Sequence, residues 1–235
     1  MGGGIAVPEM VRIEPGRFMM GSPEGEKGRF DNEHPQHTVD IAYPFEVGKY
    51  PVTFSQWDVA VEGGGCEGYR PGDEGWGRGD RPVIHVSWND AMAYIRWLNR
   101  RTDRHYRLLT EAEWEYCCRA GTDTPWSFGT RIRADQANFL NQRTEPVGRF
   151  ALNQFGLAGM HGNVWEWCED CWHENYDQPG RPDDGSAWLE ADCDRRVVRG
   201  GSWLISPRFL RSAERYWGSR NYRDSVIGFR VARTL

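Results

Sequence analysis

The stretch from Arg199-Gly-Gly-Ser-Trp203 to Ile227-Gly-Phe-Arg-Val-Ala-Arg233 constrains the fold more than any other part of the chain. Its two ends read as structure. Paired glycines allow a tight backbone approach, Trp203 is a core anchor, and Phe229 and Val231 alternate as a strand. Between them, Leu204-Ile-Ser206, Phe209, Tyr216-Trp-Gly-Ser219, Asn221-Tyr222 and Asp224-Ser-Val226 follow neither a helical nor a strand period. The residues separating those clusters are orderly: Pro207, Arg208, Leu210-Arg-Ser-Ala213, Arg215, Arg220 and Arg223. A fixed frame holding an aperiodic, aromatic-bearing set is expected to present a binding surface. Trp203, Leu210, Phe229 and Val231 should then be buried, with the aperiodic residues together on one exposed face.

Three helix starts carry a hydroxyl followed three residues later by an acid or amide, which lets the two side chains satisfy free N–H groups reciprocally. They are Thr53/Gln56, Ser87/Asp90 and Thr110/Glu113. The second predicts the best helix, with Ala91, Ile95 and Leu98 on one face, Tyr94 beside them and an end near Asn99. The third is expected to end at Gly121. After Thr122 the chain is rich in turns, with short strands expected at Val197–Arg199 and Phe229–Val231. Mean hydropathy is low at -0.73, yet the chain holds 12 Trp, which predicts a loop-rich α+β fold whose few elements are fastened by aromatic residues. Its 235 residues suit one domain, 1–235, able to bury roughly 70% of its unfolded surface. The glycine-rich segment 63–79 reads as a surface insertion.

Six ordered landmarks carry a family resemblance. They are Met10-Val-Arg-Ile-Glu-Pro-Gly-Arg-Phe-Met-Met-Gly-Ser22, then Glu33-His-Pro-Gln-His-Thr-Val39 with Lys49-Tyr-Pro-Val-Thr53, and Pro82-Val-Ile-His-Val-Ser-Trp88. Arg107-Leu-Leu-Thr-Glu-Ala-Glu-Trp-Glu-Tyr116, Gly162-Asn-Val-Trp-Glu-Trp167 and Gly200-Gly-Ser-Trp203 with Leu210-Arg-Ser-Ala213 and Gly228-Phe-Arg230 complete the series. This pattern resembles the formylglycine-generating enzyme (sulfatase-modifying factor) family, and the resemblance implies an elaborated C-type lectin-like fold.

The family's oxidase uses two cysteines after the Gly-Gly-Ser motif to bind copper, soft thiolates being suited to Cu(I). The matching positions hold Ile205 and Leu210, so copper and the oxidation reaction are not expected here. The resemblance also implies calcium sites. One would use the Glu166 carboxylate with the Gly162 and Val164 carbonyls, although its upstream ligand position is Gly159; the alternative is an ion pair between Glu166 and an arginine. A second would use Asn138 and the Phe139 carbonyl. Cys168-Glu-Asp-Cys171 has metal or redox spacing, against a simpler reading as buried thiols or disulfides. His34-Pro-Gln-His37 is the other metal-like pair, against a loop making backbone hydrogen bonds.

The chain carries a net charge of -5, yet residues 195–235 hold ten Arg against Glu214 and Asp224. Without a basic cluster, nucleic-acid binding is not expected; the arginines should pair with acids or stack on aromatic rings. No apolar run approaches the ~20 residues of a membrane span. Met1-Gly-Gly-Gly-Ile-Ala-Val-Pro8 is not a signal peptide, which makes the cytoplasm the default address.

A second resemblance accounts for the aperiodic residues. Target proteins of diversity-generating retroelements share this lectin-like fold and vary near the C-terminus. In this chain the variable region would be 199–235. Its ligand-binding residues would be Leu204, Ile205, Ser206, Phe209, Glu214, Tyr216, Trp217, Gly218, Ser219, Asn221, Tyr222, Asp224, Ser225 and Val226. Changing template adenines in AAC or AAT codons reaches all of these except Trp217 and Glu214. The implied function is non-catalytic binding of a ligand, expected to be a protein. The competing reading is an enzyme of the same fold with a different site.

Overall fold

The computed structural model describes residues 7–190 and 193–235. Three α-helices begin at the three expected caps: α1 (Phe54–Glu62) after Thr53, α2 (Trp88–Thr102) after Ser87 and α3 (Glu111–Arg119) after Thr110. In each, the cap hydroxyl accepts from the N–H three residues on, and that residue's side chain returns to the cap N–H. Helix α2 outruns its expected end, closing only at Asp103 in the left-handed conformation with φ 52°. Asn99 does not stop it, because its side chain faces the next strand and holds Tyr106 N–H at 2.7 Å and Tyr106 O at 2.9 Å.

Among the described residues, ten strands form three sheets. The first has four strands: β1 (Met10–Ile13), β4 (Phe45–Gly48), β10 (Val231–Thr234) and β5 (Tyr106–Leu108), in that order and all antiparallel. The second pairs β2 (Gly16–Met20) with β3 (His37–Ile41). The third runs β8 (Arg215–Ser219), β7 (Arg195–Arg199), β6 (Trp165–Cys171) and β9 (Ile227–Phe229), with β6 and β9 parallel. This is the α+β, loop-rich architecture that the sequence implied, with more strands than the few it led one to expect.

The strand expected at Phe229–Val231 is divided. Phe229 ends β9 in the third sheet and Val231 begins β10 in the first, with Arg230 between them. The Arg230 guanidinium donates to Glu166 in β6 and to the carbonyls of Gly48 and Ala158, so this residue ties the two sheets together. One buried cluster gathers Trp57 of α1, Tyr94 and Trp97 of α2, and Phe229; Trp57 and Tyr94 stack at 5.8 Å with Phe229 edge-on to both. A second lies between α3, the first two sheets and Trp172, Tyr176 and Trp188.

Cys168 and Cys171 do not pair. Both lie on β6, where residues three apart along an extended chain have Cα atoms about 10 Å apart, beyond the reach of a disulfide. Cys171 is bonded instead to Cys193, with Cα atoms 5.5 Å apart, and Cys168 is a buried free thiol. Closing 22 residues of chain in this way should stabilise the fold by about 3 kcal/mol. Urea unfolding of the oxidised protein and of a Cys171→Ser/Cys193→Ser variant should therefore differ by about that amount; coincident curves would show that the bond does not constrain the unfolded chain.

Candidate functional site

The C-terminal residues are placed by arginines that turn inward. Arg199, Arg211, Arg215 and Arg230 are all fully buried. Arg215 forms a two-pronged pair with Glu111 of α3 at 2.8 and 2.7 Å, and its guanidinium lies over the rings of Trp172 and Tyr176. Arg199 reaches Glu115 at 2.5 Å and the carbonyls of Ser212 and Ala213. Arg211 contacts three carboxylates, those of Glu26, Glu33 and Glu214. Gly201, with φ 76°, lies where an added Cβ would come within 2.6 Å of the Phe209 carbonyl oxygen. Trp203, Leu210, Phe229 and Val231 are buried, as the frame requires.

On that frame several of the aperiodic residues face outward. Tyr216 (56% exposed), Trp217 (37%), Tyr222 (47%) and Leu204 (54%) are among the large apolar side chains most open to solvent. Tyr216 and Trp217 lie on β8, the edge strand of the third sheet, with near-parallel rings 6.3 Å apart. Tyr222 sits beside Gly218, and its hydroxyl donates to Asp224 at 2.6 Å, which raises the phenol pKa. Asn221 is exposed and accepts from Asn89; Ser219 is half-buried and donates to Asp194.

Other residues of the expected set have different surroundings. Ile205 and Val226 are half-buried against the main cluster. Ser206 starts a 3-10 turn at Pro207–Leu210, and the Ser225 carbonyl accepts the Trp203 indole N–H at 3.1 Å. Phe209 stacks on Phe30, centroids 5.6 Å apart. Two residues belong to the frame and not to the surface. Glu214 is 3% exposed and bonded to Arg211. Gly218 is buried, and any Cβ there would strike the Trp167 ring at 2.7 Å.

Sequence reasoning missed the neighbours that complete this face. Trp165 meets Tyr216 at 6.0 Å, and Trp76 from the insertion 63–79 packs edge-on against Trp203 at 5.2 Å. Arg223 grips Asp90 with two hydrogen bonds and covers the ring of Tyr69, another residue of the insertion. The aromatic residues in that otherwise glycine-rich segment were the available signal.

The metal expectations meet a different geometry. Both oxygens of Glu166 are engaged: Oε1 and Oε2 by Arg230, and Oε2 also by the Trp114 indole N–H. A buried guanidinium in that position does not suit a divalent cation, so the ion-pair reading of Glu166 matches the geometry. The Gly162 carbonyl accepts from Val164 N–H. Asn138 is held by Arg143 O, Asn141 and Asn163, and its own carbonyl accepts the Asn163 N–H, leaving the pair with Phe139 without a charged ligand. His37 bonds the Pro35 carbonyl and packs on Tyr176, the loop role weighed against a metal. Ile205 and Leu210 offer no metal ligand.

A family model, the sulfatase-modifying factor enzyme 1-like domain, matches residues 4–235. Formylglycine-generating enzyme from Thermomonospora curvata is 30% identical, with 95% of this chain and 92% of that protein aligned. PvdO from Pseudomonas aeruginosa has a similar structure, with TM-score 0.87 and 39% identity over 97% of this chain and 95% of that one. Treponema denticola variable protein 1 is similar at TM-score 0.79 and 26% identity, covering 96% and 95%. The chain spans only 38% of the serine/threonine-protein kinase pkn1 of Chlamydia caviae, to which it is 32% identical over 96% of its own length.

The Arg211 cluster sets a pH dependence. Burial, and then repulsion from Glu33, lifts the Glu214 carboxyl to about 8, against the partial offset of Arg211. From its ordinary value of 4.5 up to about 8, the folded protein keeps a proton that the unfolded chain has lost. Stability from this group therefore falls as pH rises through that window. The buried carboxyl of Asp170, also raised to about 8, adds a slope of the same sign. Thermal melts should show Glu214→Gln gaining on the wild type between pH 5 and 8; parallel curves would mean that Glu214 is ionised throughout.

Proposed function

The chain belongs to the sulfatase-modifying factor family, and from that premise we propose that it uses the family's fold to recognise a ligand, not to oxidise one. The observation that carries this reading is the outward set Leu204, Tyr216, Trp217 and Tyr222 on a frame whose arginines are buried and paired. Tyr and Trp supply rigid contact area at low entropic cost, and Ser219, Asn221 and Asp224 supply adaptable polar contacts, the division of labour found in antibody paratopes. A diversified binding surface of the retroelement type fits such an arrangement, because exposed positions tolerate substitution while the frame stays fixed. The ligand we favour is a protein, with the half-buried Trp76 extending the contact area and buried Trp165 backing Tyr216. Ile205 and Leu210 at the positions matching the family's copper-binding cysteines support recognition over turnover. The Cys171–Cys193 bond favours an oxidising compartment over the cytoplasm.

The second reading, an enzyme of the same fold, draws on the relatives named as formylglycine-generating enzymes. It predicts copper-dependent conversion of cysteine to formylglycine in a sulfatase-derived peptide. We expect no turnover above the protein-free control; protein-dependent product would favour the enzyme.

Replacing Tyr216, Trp217 and Tyr222 together with Ser should abolish capture of the cognate protein, since aromatic hot spots contribute ~2 kcal/mol or more each. Folding stability should change by within about 0.5 kcal/mol per site. Trp203→Ala, a core deletion, should cost about 3–5 kcal/mol. Parallel melts separate the two classes, and a triple variant melting as early as the Trp203 variant would make these aromatic residues part of the core.

A further inference from the structure

We propose that the cavity between Pro23–Lys27 and Asp123–Thr130 is a second ligand site, one that takes a primary ammonium carried on an apolar or aromatic body. Its volume is about 460 Å³, and Asp123 also borders a neighbouring cavity of about 360 Å³. That size is in the range of small-molecule sites. The rings of Pro23, Pro125 and Trp126 give it apolar walls.

Its fixed polar group is Glu26, whose side chain is 3% exposed. Oε1 accepts from Arg211 at 2.7 Å, while Oε2 receives no hydrogen bond from the described residues. Trp126 presents its ring to the same cavity; its buried indole N–H, a donor without an acceptor among the described residues, takes no part in holding a cation. A carboxylate oxygen free to accept, in a cavity that an indole ring also lines, matches an ammonium on an aromatic or apolar body, which can donate to the one and lie against the other. Asp123, exposed at the rim, adds negative charge; Lys27, also exposed, can turn its flexible stem to solvent. Behind Glu26 stands Glu33 on the same Arg211, while Glu214 keeps its proton up to about pH 8 and Arg119 is paired with Glu115, so ionised Glu26, Glu33 and Asp123 outnumber Arg211 and Lys27 and disfavour an anionic ligand.

The pH response follows from the groups facing Glu26: Arg211, Arg119 and Glu33, with Lys27 and Asp123 lining the cavity. Burial raises the Glu26 pKa above its ordinary value despite Arg211. An ammonium favours the ionised carboxylate, so binding should release a proton in the acidic range and weaken as pH falls.

Phenethylammonium and 3-phenylpropionate, similar in size and opposite in charge, test the site by calorimetry and tryptophan fluorescence. The expected result is saturable binding of the cation, at least tenfold weaker binding of the anion, and at least tenfold loss of cation affinity in Glu26→Gln. The cation affinity should also fall at acid pH, which needs no variant, and Trp126→Leu should weaken it should Glu26→Gln not fold. The Tyr216→Ser/Trp217→Ser/Tyr222→Ser protein should bind the cation like wild type, which separates this site from the proposed protein-binding face. Equal binding of both probes, no saturable binding, or wild-type affinity in folded Glu26→Gln or Trp126→Leu would overturn the proposal.

Discussion

Burying an ion without a partner costs several kcal/mol, and a pair offsets that only when the remaining protons also find acceptors. From the last forty or so residues, Arg211, Arg215 and Arg230 meet this condition in the interior, and Arg199 meets it except at Nε, which has no acceptor among the described residues. Arg215 is held by Glu111 and by the carbonyls of Asn32 and His173, and Arg230 by Glu166 and the carbonyls of Gly48 and Ala158. Arg199 and Arg211 are bound in the same manner to Glu115 and Glu33. Each contact joins the C-terminal segment to a different part of the chain: the N-terminal loops, α3 or β6. Such pairs add little net stability over apolar packing, but removing one partner leaves a buried charge, costing about 3–5 kcal/mol. Their effect is to fix where this segment runs.

The exposed face follows from that fixing. With Arg215 turned inward at the start of β8 and Gly218 pressed against Trp167, Tyr216 and Trp217 between them occupy the free edge of the sheet. The loop after β8 is held by contacts to α2 and its cap: Arg220 O accepts from Asn89 N–H, Arg223 pairs with Asp90, and Asp224 O accepts from His85 N–H. Tyr222 is thereby presented beside the edge strand without being needed inside. The exposed side chains proposed for recognition are thus distinct from the buried ones that hold the fold and place them, which is the physical condition for a surface that can change.

Much of this was legible in the sequence. The capped helix starts, the buried Trp203, Leu210, Phe229 and Val231, and the outward Leu204, Tyr216, Trp217 and Tyr222 all follow from local patterns and family landmarks. What escaped depends on partners distant along the chain. Glu214 looks like any surface acid until Arg211 and Glu33 enclose it, and Gly218 looks variable until Trp167 is placed against it. The Arg230 junction between two sheets and the Cys171–Cys193 bond are likewise tertiary facts. Spacing suggested Cys168 as the partner, whereas strand geometry forbids it.

A library of every single substitution across residues 199–235, sorted by protease resistance of the folded protein, tests the central claim most directly. The account predicts tolerance at Leu204, Tyr216, Trp217, Asn221 and Tyr222, and intolerance at Arg199, Trp203, Arg211, Arg215, Gly218 and Arg230. Intolerance at Tyr216, Trp217 and Tyr222 comparable to that at the buried arginines would contradict it, because the proposed recognition residues would then be holding the fold.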